Sequence, residues 1–157
     1  MDLSSEKVAF ITGANRGIGF ETAKGLGALG ITAVIGARDI AKGEAAAKQL
    51  EALGYKAEAI HYDANQAKSA DTVYEYLNKH YGKLDILVNN AGINQEQLMG
   101  SNNSSTVSID TLQQTFHSNL FAVIELTQKL LPLVNKEPAG RIVTLSTILP
   151  PPTFHTI

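Results

Sequence analysis

Short apolar runs alternate with longer stretches of helical periodicity along most of the sequence, and this alternation constrains the fold more than any other feature. The runs predict five buried strands over residues 7–12, 31–37, 56–62, 84–88 and 141–145. The stretches between them predict helices over residues 18–29, 40–53, 66–81 and 108 to about 135. Strands separated by helices form right-handed βαβ units and a parallel sheet covered on both faces. We therefore predict an α/β fold, a Rossmann-like doubly wound parallel sheet with five strands in the order 3-2-1-4-5.

The composition excludes several classes of function. The formal net charge is −2 over 157 residues, so no basic surface favours nucleic acid or an anionic membrane as a partner. The absence of cysteine excludes disulfides, thiolate metal sites and a cysteine nucleophile, and we predict no metal site. No apolar run approaches the roughly 20 residues that span a bilayer, and the polar N-terminus is unlike a signal peptide. We expect a cytoplasmic protein.

A glycine-rich turn lies between the first predicted strand and the first predicted helix, where a phosphate-binding turn belongs. Glycines at this position permit a tight turn and a close approach to a pyrophosphate, which the helix N-terminus attracts through its free N–H groups. The same glycines could merely form a tight strand–helix corner. We predict that the turn binds a dinucleotide through Gly13, Asn15, Arg16, Gly17, Ile18 and Gly19.

The end of the second predicted strand indicates which dinucleotide is bound. A site for NAD requires a carboxylate here for the ribose 2′-hydroxyl, whereas this strand ends in the neutral Ala37, followed by Arg38. A guanidinium can bind a 2′-phosphate through two charge-assisted hydrogen bonds, and Arg16 could approach the same phosphate. Asp39 is the competing ribose ligand by residue count, but it is also placed to cap the second helix. We therefore predict NADP(H) as the cofactor.

A third segment, Asn89-Asn90-Ala91-Gly92, follows the fourth predicted strand. In the predicted strand order this strand neighbours the first one, so the segment faces the glycine turn across the crevice at the carboxyl ends of the strands. Asparagine side chains can tie neighbouring strands together, and the two small residues leave room for a ring or a ribose. We predict that Asn90, Ala91 and Gly92 form a wall of the cofactor site.

These three segments together resemble the short-chain dehydrogenase/reductase family. The glycine turn matches the family's glycine motif, and residues 89–92 match its Asn-Asn-Ala-Gly motif. The Ala37-Arg38-Asp39 strand end, with Lys42 and Gly43, is most similar to the NADPH-dependent carbonyl reductase branch. The resemblance covers residues 7–147 and implies an oxidoreductase that interconverts small carbonyl compounds and alcohols. It also implies that Asp63 and Ala64 contact the adenine.

The resemblance implies hydride transfer coupled to a proton relay. A tyrosine donates the proton to the carbonyl oxygen, and a lysine four residues later lowers the pKa of that tyrosine. A helix asparagine, matched by Asn119, supports a water that reaches the lysine. A serine orients the carbonyl; in register its position is Thr147, with Ser146 as the alternative. None of the five tyrosines has a lysine four residues later. We therefore expect the sequence to be truncated before its Tyr-x-x-x-Lys motif and to be catalytically impaired.

The domain organisation follows from the same comparison. We predict an incomplete dinucleotide-binding domain over residues 1–147 and a proline-rich tail over residues 148–157. The family's later strands and helices are lacking, so strand five should be an exposed apolar edge and the helix from Ser108 should keep uncovered apolar surface. We expect self-association through one of these surfaces. The alternatives to an enzyme are a non-catalytic NADP(H)-binding module and a structural fragment.

Overall fold

A five-stranded parallel sheet with helices on both faces forms the body of the molecule, which the computed structural model describes over residues 6–90 and 108–145. The first half contains β1 (Val8–Thr12), α1 (Gly17–Ala28), β2 (Thr32–Ala37), α2 (Ile40–Ala52), β3 (Ala57–His61) and α3 (Ser69–His80). The second half contains β4 (Ile86–Asn89), α4 (Ile109–Phe116), a π-helical turn (His117–Phe121), α5 (Ala122–Val134) and β5 (Arg141–Thr144). The strand order is β3-β2-β1-β4-β5 with every pair parallel, which confirms the predicted topology.

The two faces of the sheet carry separate cores, as the alternation of side chains along a strand requires. Val8 and Phe10 of β1 point to the face covered by α3 and α5, where they pack with Leu77 and Leu126. The next residues in the strand alternate to the opposite face, whose core is built largely from small residues of α1 and α2. That second core includes Ala9, Ile11, Ala23, Ala33, Ala46, Ala47 and Leu50. All five residues of β1 and all six of β2 are buried, so these central strands anchor the fold.

The boundaries of the elements follow local chemistry. Helix α2 begins after Asp39, whose carboxylate accepts a hydrogen bond from the Lys42 N–H at 3.3 Å. This confirms the predicted role of Asp39 as a cap. Ser108 caps α4 in the same way, accepting from the Thr111 N–H at 3.0 Å. Helix α3 begins at residue 69 rather than at the predicted residue 66, because the Gln66 N–H bonds back to the Asp63 carbonyl in a preceding turn.

The helix predicted over residues 108–135 contains an irregularity that the sequence did not indicate. Residues His117–Phe121 wind as a π-helical turn between α4 and α5, which together form one continuous helix. A π turn carries one extra residue relative to α-helical winding and shifts the faces of the helix on either side of it. Side-chain periodicity in the sequence therefore could not give one consistent apolar face for the whole helix.

Strand β5 and the first half of the long helix are exposed. All four residues of β5 are exposed, including Ile142 and Val143. On the long helix Phe116, Leu120 and Phe121 are exposed as well. The apolar edge strand and the uncovered helix surface expected from the sequence are thus present in the fold. Among the residues described, no helix is both long and apolar enough to cross a membrane.

Candidate functional site

The glycine turn between β1 and α1 has a backbone that only glycine adopts easily at two of its positions. Gly13 and Gly17 have φ angles of +63° and +61°, in the left-handed region that is strained for residues with a Cβ atom. The Gly13 N–H donates to the Gly36 carbonyl at 2.8 Å, so the turn is fastened to the end of β2. The turn therefore lies at the carboxyl edge of the sheet, where the sequence predicted it.

Gly19 is required for a different reason, which is the absence of space. A Cβ atom at this position would lie 2.4 Å from the Asn90 Nδ2 and 2.7 Å from the Gly13 carbonyl oxygen. Asn90 occupies this space because its Nδ2 donates to the carbonyl oxygens of Thr12 and Gly13 at 3.1 and 3.2 Å. The predicted contact between the glycine turn and the segment after β4 is therefore direct.

Thr12 completes this junction, and the sequence analysis gave it no role. Its hydroxyl accepts from the Asn90 N–H at 2.9 Å and donates to the Val88 carbonyl at 3.5 Å. A buried hydroxyl at the end of a central strand was the available signal, because such a group must find partners on the neighbouring strand. Thr12 and Asn90 thus hold the backbone of the turn in place from the side of β4.

Asn89 ties the other side of β4 in a similar way. Its Nδ2 donates to the Thr127 hydroxyl of α5 at 3.2 Å and to the Thr144 hydroxyl of β5 at 3.4 Å. The two adjacent asparagines therefore connect β4 to the strands on both of its sides, as the sequence suggested for asparagines at this position. Through Asn89 the end of β5 is held beside the same crevice.

The N-terminus of α1 offers backbone N–H groups for an anion. The side chain of Arg16, the N-cap residue, makes no capping hydrogen bond, and the first turn contains no acidic residue. Helices α2 and α4, in contrast, are capped by Asp39 and Ser108. Uncapped N–H groups and the positive end of the helix dipole favour a phosphate. Ile18 is 65% exposed beside these groups, and Asn15 is half-buried.

The segment after β2 carries a guanidinium, and its one carboxylate caps the next helix. Ala37 is buried at the last position of the strand, and Arg38 follows with its side chain exposed. Asp39 is engaged as the cap of α2, and its carboxylate also lies 4.0 Å from the Lys42 ammonium. Because Gly13 bonds to Gly36, the glycine turn and the Arg38 segment belong to the same edge of the sheet.

Asp63 and Ala64, the predicted adenine contacts, lie in the turn that follows β3. The Asp63 N–H donates to the buried Ser69 hydroxyl at 2.8 Å, and one Asp63 carboxylate oxygen accepts from the Asn65 N–H at 2.9 Å. Ala64 is half-buried against the core. The Tyr62 N–H donates to the Ala37 carbonyl at 3.0 Å, so this turn adjoins the end of β2.

The predicted catalytic residues are described only in part. Asn119 lies in the π turn with its side chain exposed. Its neighbour Ser118 is buried and donates to the Asn65 Oδ1 at 2.9 Å, a contact that the sequence analysis missed because 53 residues separate the two. Ser146 and Thr147, together with the predicted cofactor residues Ala91 and Gly92, lie outside the residues that the structure describes.

Three of the five tyrosines are held in their neutral form. Burial, assisted by the charges of Glu125 and Asp63, raises the pKa of Tyr62 to about 12. Burial and the Glu58 carboxylate also raise the pKa of Tyr76 and of Tyr81, whose hydroxyl bonds to Glu58. A general acid works best when its pKa lies near the working pH, so these three tyrosines are poor proton donors.

Most of the chain matches a known family and its curated members. Residues 7–150 match the short chain dehydrogenase family. Carbonyl reductase (NADPH) 1 of Macaca fascicularis is 35% identical over 147 residues, which is 93% of this chain and 50% of that protein. Carbonyl reductase (NADPH) 3 of Homo sapiens is 35% identical over 146 residues, 92% of this chain and 50% of that protein. The chain thus spans about half the length of the curated relatives it matches.

Solved structures give the same result. A metagenomic short-chain oxidoreductase in complex with NADP superposes with a TM-score of 0.82 at 30% identity, covering 90% of this chain and 62% of that one. The Pseudomonas aeruginosa RhlG/NADP active-site complex superposes with a TM-score of 0.80 at 29% identity, covering 92% of this chain and 56% of that one. With its glycine turn, its paired asparagines and its strand order, the chain belongs to the short-chain dehydrogenase/reductase family and is similar to the carbonyl reductases.

Proposed function

We propose that these residues form the cofactor-binding half of an NADP(H)-dependent oxidoreductase that interconverts small carbonyl compounds and alcohols. One observation carries the proposal: Asn90 and Gly19 lock the glycine turn against β4, at the same sheet edge where Arg38 follows the last residue of β2. The relatives named as NADPH-dependent carbonyl reductases and the neighbours solved with NADP support this cofactor and this class of reaction.

The residues present suit an NADP-type dinucleotide. The uncapped N–H groups of α1 are available for the pyrophosphate, and the absence of a side chain on Gly17 allows it to approach the backbone. Arg38 and Arg16 are both exposed and can neutralise a 2′-phosphate, and the neutral Ala37 adds no repulsion. Asp63 and Ala64 are proposed to contact the adenine, and Ala91 and Gly92 to leave room for the nicotinamide ribose.

The chemical step requires more than the cofactor. The bound nicotinamide supplies or accepts a hydride, and a protein group must move a proton to or from the substrate oxygen. We propose that Asn119 contributes its amide group to that site, and that either Thr147 or Ser146 contributes a hydroxyl group. Within these 157 residues no tyrosine is followed four residues later by a lysine, so we propose that the chain binds NADP(H) without completing turnover.

A proton donor in position contributes roughly 10²–10⁴-fold to such reactions, and we expect the 157-residue chain to be impaired by at least this factor. The measurement is NADPH oxidation by the purified chain with a panel of aldehydes and ketones, corrected for a blank without protein. Turnover near that of a complete carbonyl reductase would contradict the proposed impairment.

Arg38→Ala tests the cofactor assignment. Charge-assisted hydrogen bonds to the 2′-phosphate would be lost, so we expect NADPH affinity to fall about 10- to 100-fold while NADH affinity stays nearly constant. Calorimetric titration of both dinucleotides gives the ratio. Lys48→Ala is the matched control: it removes an exposed cation from α2 and should leave the ratio of NADPH to NADH affinity unchanged. An unchanged ratio in Arg38→Ala would refute the 2′-phosphate assignment, and the absence of binding by either dinucleotide would refute the proposed function.

We further propose that the chain associates with a second copy of itself through β5 or the exposed face of the long helix. Ile142 and Val143 are 40% and 46% exposed on an edge strand, and Phe121 is 57% exposed on the helix. Exposed apolar edges pair readily with other chains. Sedimentation velocity should show dimers or larger species that Val143→Lys disrupts; a monodisperse monomer at high concentration would refute the association.

A further inference from the structure

Two segments of the proposed site, the π turn of the long helix and the turn after β3, are joined by a side-chain hydrogen bond. The Ser118 hydroxyl in the π turn donates to the Asn65 Oδ1, in the turn after β3, at 2.9 Å. The first segment carries Asn119, the proposed catalytic asparagine, and the second carries Asp63 and Ala64, the proposed adenine contacts. The bond therefore connects the two ends of the proposed site across 53 positions of sequence.

The first half of the long helix buries few side chains around this bond. Helix α4 has no buried residue, and Ser118 is the only buried residue of the π turn. The large apolar side chains on either side, Phe116, Leu120 and Phe121, are all exposed. A serine that is 5% exposed is thus the sole buried anchor over residues 109–121, all of which the structure describes.

The other partner is braced from within its own turn. The Asn65 N–H donates to an Asp63 carboxylate oxygen at 2.9 Å, and the Asp63 N–H donates to the buried Ser69 hydroxyl at 2.8 Å. Ser118 therefore bonds to a turn whose shape is set by Asp63. A ligand that contacts Asp63 or Ala64 would stiffen this turn, and the Asn65 side chain would pass the restraint to the π turn.

We propose that Ser118 is a positioning residue that couples occupancy of the adenine end of the site to the order of the π turn bearing Asn119. The inference rests on the proposed function, because it takes the turn after β3 as the adenine site. When adenosine is bound, the Asn65 carboxamide is held still, and the Ser118 hydroxyl keeps the π turn in one winding. Asn119 is then oriented before any substrate arrives.

Adenosine 2′,5′-bisphosphate is the probe, because it fills the adenine end and contains no nicotinamide that could touch Asn119 directly. Amide hydrogen exchange of residues 117–121 is measured in the 157-residue chain with and without saturating probe. We expect exchange to slow about two- to tenfold on binding, the range that corresponds to one net hydrogen bond. In Ser118→Ala and in Asn65→Ala this slowing should disappear, and the double variant should equal either single one.

Two further variants separate coupling from a general loss of stability. Thr115→Ala removes a hydroxyl from the same helix that bonds only to the Thr111 carbonyl, at 2.8 Å, and should keep the slowing. Asn65→Asp keeps an acceptor oxygen in an exposed turn, so the probe should still slow the exchange of residues 117–121 in this variant. If the hydroxyl merely stabilised the helix, Ser118→Ala would speed exchange equally with and without probe, and the probe would still slow it.

The outcomes distinguish this inference from the proposed function. Failure of the wild-type chain to bind the bisphosphate overturns the proposed function and this inference with it. Binding that leaves the exchange of residues 117–121 unchanged overturns the coupling alone, and so does slowing that persists in Asn65→Ala. Because Asn65 lies in an exposed turn, its variant reports on the coupling even if Ser118→Ala does not fold.

Discussion

The two lateral halves of the sheet, which we call its two sides, differ in how deeply their strands and helices are buried. On the side of β1, β2 and α2, the strands are completely buried and the helix packs through Gly43, Ala46, Ala47 and Leu50. On the side of the long helix and β5, the strand is exposed along its whole length and α4 buries nothing. The proposed dinucleotide contacts lie mostly on the first side, and the proposed catalytic residues lie on the second.

The two halves of the proposed site are therefore built by different means. The glycine turn is shaped by steric limits and by backbone hydrogen bonds to neighbouring strands, which act within the central sheet. In the π turn the one buried residue, Ser118, bonds through its hydroxyl to Asn65 in the turn after β3. The proposed binding geometry is therefore built into the central sheet, whereas the proposed catalytic geometry lies on a more exposed part of the fold.

The largest difference in stability between the two regions is expected from a matched pair of leucine substitutions. Leu50→Ala opens a cavity in the fully buried core beneath α2 and should cost about 2–5 kcal/mol of unfolding free energy. Leu120→Ala removes a side chain that is 45% exposed on the long helix and should cost less than about 1 kcal/mol. Urea unfolding gives the free energy of unfolding of each variant, and comparing the m-values shows whether both unfold in the same way. Equal losses would mean that Leu120 is covered in solution.

A second pair tests the steric lock at the glycine turn. Gly19→Ala would force the new methyl group into the Asn90 carboxamide and should destabilise the fold by about 1–3 kcal/mol, with loss of dinucleotide binding. Gly25→Ala, on the same helix, meets nothing within 4 Å and should stabilise it by about 0.5–1 kcal/mol. Thermal unfolding followed by circular dichroism separates them. A neutral Gly19→Ala would show that Asn90 can move aside.

Asp85 joins the two sides at the opposite end of the sheet. Its buried carboxylate accepts from the Val8 N–H at 2.9 Å and lies 3.3 Å from the Lys83 ammonium, which also pairs with Glu137 after α5. Asp85→Asn keeps an acceptor for Val8 but removes the charge, and we expect a loss of about 1–3 kcal/mol in urea unfolding. Asp71→Asn, from an exposed pair with Lys129, should cost much less. Similar losses would remove the distinction between the two pairs.

The smallest effect near neutral pH is expected at Tyr62, which packs edge-on against Phe10 in the core shared by both sides. Burial raises its pKa from 10 to about 12, so the folded state retains a proton that the unfolded state has lost between these pH values. Stability should therefore fall as the pH rises from 10 to 12. Tyr62→Phe should reduce that alkaline loss and change little at pH 7. An identical alkaline decline in both proteins would contradict this assignment.

Local chemistry explains how much of this molecule was predictable. Buried parallel strands are continuous apolar runs, so β1 and β2 were located within one residue, and an aspartate before a helix identified the cap at Asp39. The π turn was not predictable from side-chain periodicity, and the contact of its Ser118 with Asn65 joins residues that are 53 positions apart in sequence. The role of Thr12 was missed for a related reason: its partners belong to another strand.

The packing of Gly19 against Asn90 has a consequence for how ligand preference can change in such a chain. The contact between the glycine turn and Asn90 tolerates almost no variation, since even a methyl group on Gly19 has no room. The side chains around this contact are different: those of Arg16, Ile18 and Arg38 are exposed to solvent and are not part of the core. Evolution or deliberate redesign can therefore replace these three side chains and alter ligand selectivity while the backbone of the glycine turn keeps its shape.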